Sequence, residues 1–163
     1  MTTKSKAVKV KQTTTSGKSK QSSTKTTSKV SDFGRKTVRD EIVLSVMEHH
    51  ANIIPWHFLR DRFGAVLKWV PLLEDGQLDM EAYRAALSPR TRIVAMTHMS
   101  NVLGTITDAK AIVDAAHDAG ALVLLDGCQA TVHMDVDVQA LGADFYVFAP
   151  HKLYGPSGVG VLY

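Results

Sequence analysis

From residue 40 onward, short apolar runs alternate with stretches of helical periodicity, and this alternation constrains the fold more than any other feature of the chain. Ile42–Val46, Ala65–Val70, Arg92–Met96, Ala121–Leu125, Phe145–Phe148 and Val159–Tyr163 read as strands. Runs so short and so apolar suit strands buried on both faces. Between them, Asn52 is expected to cap a helix through about Arg62, with Pro55 tolerated in its first turn and Gly64 ending it. Asp75-Gly76 reads as a turn and Asp79 as the cap of a helix through Leu87. Thr107 or Asp108 opens another helix, whose Ala111, Ile112, Ala115 and Ala116 recur at helical spacing and which Gly120 closes. A short helical turn is expected near Val138 to Leu141. The pattern implies an α/β fold, a mainly parallel sheet with helices over both faces. Ligands of open α/β sheets bind beyond the carboxyl ends of the strands, so candidate chemistry is sought there.

Four such ends carry reactive side chains. Lys152 follows the run ending at Phe148, within Ala149-Pro150-His151-Lys152-Leu153-Tyr154-Gly155. An amine at the end of a buried strand is a candidate covalent anchor, because desolvation lowers its pKa and the neutral amine condenses with an aldehyde. The competing reading is a surface lysine in a Gly/Pro loop. Asp126, followed by Gly127-Cys128-Gln129, ends another run. A carboxylate there suits a bound heterocycle such as pyridoxal phosphate, whose ring nitrogen must stay protonated to draw electrons from a substrate carbanion. His49 lies in Met47-Glu48-His49-His50-Ala51-Asn52, and Asn101 in Ser100-Asn101-Val102-Leu103-Gly104. His50 should point away from His49 if the backbone is extended there. Asn101 could equally serve as a turn residue before Gly104. Metal binding is a weak reading of the seven histidines, since no ligand spacing occurs and the single cysteine, Cys128, has no thiolate partner. His98, His117 and His133 read as packing or surface residues.

Together these motifs, in this order from about Asp40 to Tyr163, closely resemble the cysteine desulfurases and selenocysteine lyases of the class V aminotransferase family. The resemblance implies a partial fold-type I pyridoxal-phosphate-dependent transferase large domain over residues 35–163. It implies transfer of sulfur from L-cysteine, or selenium from L-selenocysteine, with alanine as the other product, in the service of iron–sulfur cluster assembly. It further implies a homodimer and a sulfur-acceptor protein as partners. By the same resemblance Lys152 holds pyridoxal 5'-phosphate and moves a proton at the substrate's Cα. Asp126 faces the pyridine nitrogen and Gln129 the phenolic oxygen. His49 stacks on the ring, Asn101 stands near the ring and the substrate carboxylate, and His151 contacts the phosphate. Two residues depart from the family pattern. Ala149 stands where a phosphate-binding serine is usual, and Pro150 where a glycine is usual, which removes a hydrogen bond to a charged acceptor worth roughly 1.5 to 3 kcal/mol. The family's persulfide-bearing cysteine and carboxylate-binding arginine are expected beyond Tyr163, and its phosphate-cradling Gly-Thr segment before Asp40. The expectation is therefore a fragment, weakly active or inactive alone. Alternatives are another class V enzyme with a similar cofactor site, or a non-catalytic interaction protein derived from the fold. Cys128, inside the Asp-Gly-x-Gln motif, is read as a small packed side chain rather than a nucleophile.

The N-terminal stretch differs from the rest. Residues 1 to 31 hold eight lysines and no acid, leaving eleven basic residues against sixteen acidic ones in the remainder. The pI near 9.0 therefore belongs to this stretch, and the acidic remainder gives no reason to expect nucleic acid as a partner. Residues 1–34, rich in Lys, Ser and Thr, should form a disordered tail, having too little apolar surface to offset the entropy of ordering. Gly17-Lys18-Ser19 is not a phosphate loop, because Gln12 stands where its first glycine belongs. No apolar run reaches the length of a membrane span, and a single cysteine suits a reducing compartment. A cytoplasmic protein without membrane contact is expected, with organellar targeting by the basic stretch left open.

Overall fold

A computed structural model describes residues 39–163; the expected tail over residues 1–34 lies outside them. Among the described residues six strands form one sheet: β1 (Glu41–Ser45), β2 (Val66–Val70), β3 (Thr91–Thr97), β4 (Leu122–Asp126), β5 (Phe145–Phe148) and β6 (Val161–Leu162). Their order is β2-β1-β3-β4-β5-β6. The first five are parallel, and β6 runs antiparallel to β5. The chain moves outward from β1 to β2, then returns to the other side of β1 for β3, so the direction of winding reverses between β1 and β3. Such a reversal opens a crevice at the carboxyl ends of the strands.

The alternation of side chains along each strand divides the core in two. Val43, Val94, Met96, Val123, Leu125 and Tyr146 face one side, where they meet Ile112, Val113 and Ala116 of α3 (Ala109–Asp118) and Tyr83 of α2 (Met80–Ala86). Ile42, Leu44 and Ala95 face the other, packed by Trp56 and Leu59 of α1 (Ile54–Phe63). That second cover is thinner than the sequence implies. No residue of α1 is fully buried, and Ile93 and Leu124 on this face are only partly so among the described residues.

The helix signals act largely as read. Asp79 accepts hydrogen bonds from the N–H groups of Glu81 and Ala82, and Asp108 from that of Ala111, satisfying donors the first turn leaves unpaired. Gly64 ends α1 in the left-handed conformation, at φ 77°. Asn52 is the exception, because α1 begins at Ile54 with no side-chain cap, and a 3₁₀ turn over His50–Asn52 precedes it. The side chain of Asn52 instead donates to the buried carboxyl of Glu48. Satisfying a buried acid outweighs a cap worth about 1 kcal/mol. A four-residue helix, α4 (Ala130–His133), lacks a capping side chain and had no signal in the sequence; α5 (Val138–Leu141), capped by Asp137, was expected.

At the amino end of the sheet, Glu41 is 1% exposed and anchors three elements. Its carboxylate pairs with Lys68 of β2 at 2.7 Å and Arg90 at 2.6 Å, and accepts the hydroxyl of Ser88. Burial opposes its ionisation, yet the bonds from Lys68, Ser88 and Arg90 prevail and hold it at about 2, below its ordinary 4.5. A depressed acid stabilises the fold above its ordinary value, and that contribution disappears as the pH falls from about 4.5 to 2. The loss is on the order of 3 kcal/mol. Urea unfolding between pH 5 and pH 2 should show this loss in the wild type. Glu41→Gln should be less stable at pH 7 by about 3 kcal/mol and should lose less on acidification. Equal acid sensitivity in both proteins would contradict this role for Glu41.

Candidate active site

Parallel pairing sets Thr97 beside Asp126 and Asp126 beside Val147, at the carboxyl ends of three adjacent strands. Above this row opens a cavity of about 280 Å³, lined by His49, Ala51, Thr97, Met99, Asn101, Asp126, Cys128, Gln129, Ala149, His151 and Lys152. All six side chains singled out in the sequence, His49, Asn101, Asp126, Gln129, His151 and Lys152, therefore border one space, although they come from four separate loops.

Each loop has a local reason for its course. After β1 the backbone enters the 3₁₀ turn, and His49 Nδ1 accepts the N–H of Ala51 at 3.2 Å. In the neutral ring the proton then lies on Nε2. His50, the next residue, is exposed and does not line the cavity. After β3, Ser100 Oγ accepts the N–H groups of Val102 and Leu103, and Gly104 takes φ 73°, closing the turn that carries Asn101. Asn101 is thus both a turn residue and a lining residue. After β5, Ala149 leads into a 3₁₀ turn over Pro150–Leu153, where the N–H of Lys152 donates to the carbonyl of Ala149 at 3.1 Å. Among the described residues no hydrogen bond or ion pair engages the Lys152 side-chain nitrogen, which lines the cavity.

Asp126 is buried, and its Oδ1 accepts the Cys128 N–H at 2.9 Å. Beneath it, Tyr146 fills the space beside Gly127. A Cβ on Gly127 would fall 2.0 Å from Cε1 of the Tyr146 ring. The Tyr146 hydroxyl meets His98 Nδ1 at 2.9 Å, and burial lowers the pKa of His98, which disfavours a charge on this floor. His98 thus has a specific packing partner. His117 pairs with Asp144 at 2.9 Å, away from the cavity.

Cys128 lines the cavity, but its thiol is pushed up to about 11, first by burial and then by the charge of Asp126 and a hydrogen bond to it, against the opposing charge of Lys152. It is a poor nucleophile near pH 7. Sequence reasoning missed Glu48, which lies directly under the His49 turn. It is 7% exposed, and its oxygens accept from Ser45, Asn52 and the N–H of Thr97. Burial, and then the charge of Asp126, raise its carboxyl to about 7 against these hydrogen bonds. The available signal was an acid three residues past the end of an apolar strand and directly before the candidate histidine. No helix among the described residues is long and apolar enough to cross a membrane.

Chemically, a buried acid, an unpartnered amine, an imidazole and a carboxamide around one space suit a flat heteroaromatic aldehyde: the acid for a ring nitrogen, the amine for the carbonyl carbon. Comparison with known proteins agrees with that chemistry. The family model described as Aminotransferase class-V matches residues 15–163. A cysteine desulfurase of Enterobacter sp. (strain 638) is 57% identical over 124 residues, covering 76% of this chain and 30% of that protein. One from Dickeya dadantii is 53% identical over 133 residues, covering 80% and 32%. Among solved structures, the cysteine desulfurase CsdA (S-sulfonic acid) from Escherichia coli superposes with a TM-score of 0.76 at 45% identity, over 79% of this chain and 32% of that one. The apo cysteine desulfurase of Thermococcus onnurineus NA1 gives 0.72 at 33% identity, over 80% and 33%. The chain thus spans about a third of the length of these relatives.

The close approach of Tyr146 to Gly127 makes the latter position intolerant of any side chain. Gly127→Ala should lower the urea midpoint at unchanged slope, by roughly 3 kcal/mol in stability. A variant as stable as the wild type would contradict the packing described.

Proposed function

The chain belongs to the class V aminotransferase family, a family of pyridoxal-phosphate-dependent enzymes, and we propose that it carries the cofactor site of a cysteine desulfurase. The reaction takes sulfur from L-cysteine onto an enzyme thiol as a persulfide and leaves L-alanine. The observation that carries this reading is the convergence of Lys152, Asp126, Gln129, His49, Asn101 and His151 on one cavity where the winding of the sheet reverses. The residues fit the group. Asp126 is buried, with one oxygen already fixed by the Cys128 N–H, so its carboxylate is aimed rather than free to rotate. The Lys152 amine lines the same space, and the cavity volume is close to the lower end for small-molecule sites.

When bound, pyridoxal 5'-phosphate supplies an electron sink for the carbanion left as a substrate loses its Cα proton. The remaining work falls to the chain's own side chains. Asp126 keeps a proton on the pyridine nitrogen. Lys152 would hold the cofactor through its amine, and the same amine is placed to take and return a proton at the substrate's Cα. Gln129 donates to the phenolic oxygen, and His151 donates to the phosphate. His49, whose Nδ1 is engaged by Ala51, would face the cofactor with Nε2–H, and Asn101 would orient the substrate carboxylate. Ala149 adds no hydrogen bond to the phosphate, which weakens binding relative to a serine there. Cys128 is not assigned as sulfur acceptor, because its thiol stays protonated. L-Selenocysteine as a second substrate, a homodimer, a sulfur-acceptor protein and a cytoplasmic setting belong to the same proposal, on the strength of family likeness.

Titration of the protein with pyridoxal phosphate, followed by visible absorbance, should give a saturating new band that Lys152→Ala abolishes without loss of folding by circular dichroism. Absence of the band in the wild type, or its persistence in the folded variant, would overturn the proposal.

A further inference from the structure

The buried carboxyl of Glu48 bridges the two strands between which the cavity opens. One oxygen, Oε1, accepts the N–H of Thr97 at the end of β3 at 2.9 Å, together with the hydroxyl of Ser45 at the end of β1. The other, Oε2, accepts the Asn52 Nδ2–H at 2.7 Å, and Asn52 Oδ1 in turn accepts the Trp56 Nε1–H at 3.2 Å. Both ends of the turn that presents His49 are thereby tied down, Glu48 on its amino side and Asn52 on its carboxyl side. Thr97, the far anchor, lines the cavity and pairs in register with Asp126.

We propose that Glu48 is a positioning residue of the site, holding the His49 turn against the end of β3 so that the imidazole and Asp126 keep a fixed spacing across the cavity. This inference rests on the proposed cofactor site for its consequence, but the tether itself is a property of the protein without cofactor. The arrangement has a definite polarity. Each of the three groups around the carboxyl donates, and Asn52 cannot reverse its amide without facing Trp56 Nε1–H with another donor. An amide at position 48 can serve Thr97 and Ser45 through its oxygen, but its NH₂ would oppose that of Asn52. Restoring the match requires an acceptor at position 52, which Asn52→Asp provides while still receiving Trp56. Electrostatics add a reason for the tether to matter: the carboxyl that titrates near pH 7 is faced by Asp126 of β4, while its other partners, Ser45, Asn52 and Thr97, are uncharged.

The test is amide hydrogen exchange on the protein without cofactor, comparing wild type, Glu48→Gln and Glu48→Gln/Asn52→Asp, with pyridoxal phosphate half-saturation as the second readout. The expected result is exchange about ten-fold faster at Ala51 and Asn52, whose N–H groups are bonded within the turn, in Glu48→Gln, with β4 unchanged, and restored protection in the double variant. Half-saturation should rise about ten-fold in the single variant and recover in the double. Unchanged exchange in the turn, equal acceleration throughout the sheet, or failure of the double variant to restore protection would overturn the tether. Should Glu48→Gln not fold, Asn52→Ala, which removes the Oε2 arm together with the acceptor of Trp56 Nε1–H, should show the same local acceleration, and its absence would overturn the proposal. A wild type that shows the tether but binds no pyridoxal phosphate would refute the cofactor reading and leave the tether standing.

Discussion

The parallel register that aligns Thr97, Asp126 and Val147 is the constraint on which the rest of the site depends. A slip of one residue between β3 and β4 would turn Asp126 to the opposite face of the sheet, because side chains alternate along a strand. The buried apolar runs on both faces prevent that slip. Their uninterrupted hydrophobicity secures the level at which each strand ends, and with it the height of every loop around the cavity. The loops then need only short local devices: a histidine accepting from its own turn, a serine stapling the Asn101 turn, and a 3₁₀ turn that lifts Lys152.

Two buried glutamates at opposite ends of the sheet show how partners decide charge. Glu41 and Glu48 are almost equally inaccessible, and burial works against ionisation in both. Glu41 is surrounded by Lys68 and Arg90 and stays charged to about pH 2. Glu48 has only neutral donors around it and the negative Asp126 nearby, so its carboxyl sits near 7. The first is a fastener that a cation network stabilises. The second lies beneath the candidate site, where no cation among the described residues offsets its burial.

Much of this was legible in the sequence, and the reasons are specific. Strand ends could be read because apolar runs stop where burial stops, which located Asp126 and the loops of His49, Asn101 and Lys152. Asp79 and Asp108 could be read as caps because their role is local. Asn52 could not, since its side chain is claimed by Glu48, a partner that matters only once β1 and β3 lie side by side. Glu48 itself was hidden for the same reason, its anchor at Thr97 being 49 residues away. What excludes a side chain at Gly127 is the Tyr146 ring, delivered by a different strand, and nothing local to the Asp-Gly pair reveals it. The winding reversal between β1 and β3 is a matter of topology, and no residue type announces it.

If Lys152 is the covalent anchor, chemical trapping will find it there. The protein would be incubated with pyridoxal phosphate and reduced with borohydride, and the pyridoxyl group located by peptide mass mapping. Modification is expected at Lys152 under limiting reagent, with Lys68, Lys110 and the lysines of residues 1–31 unmodified. Modification spread over those lysines with none enriched at Lys152 would contradict it.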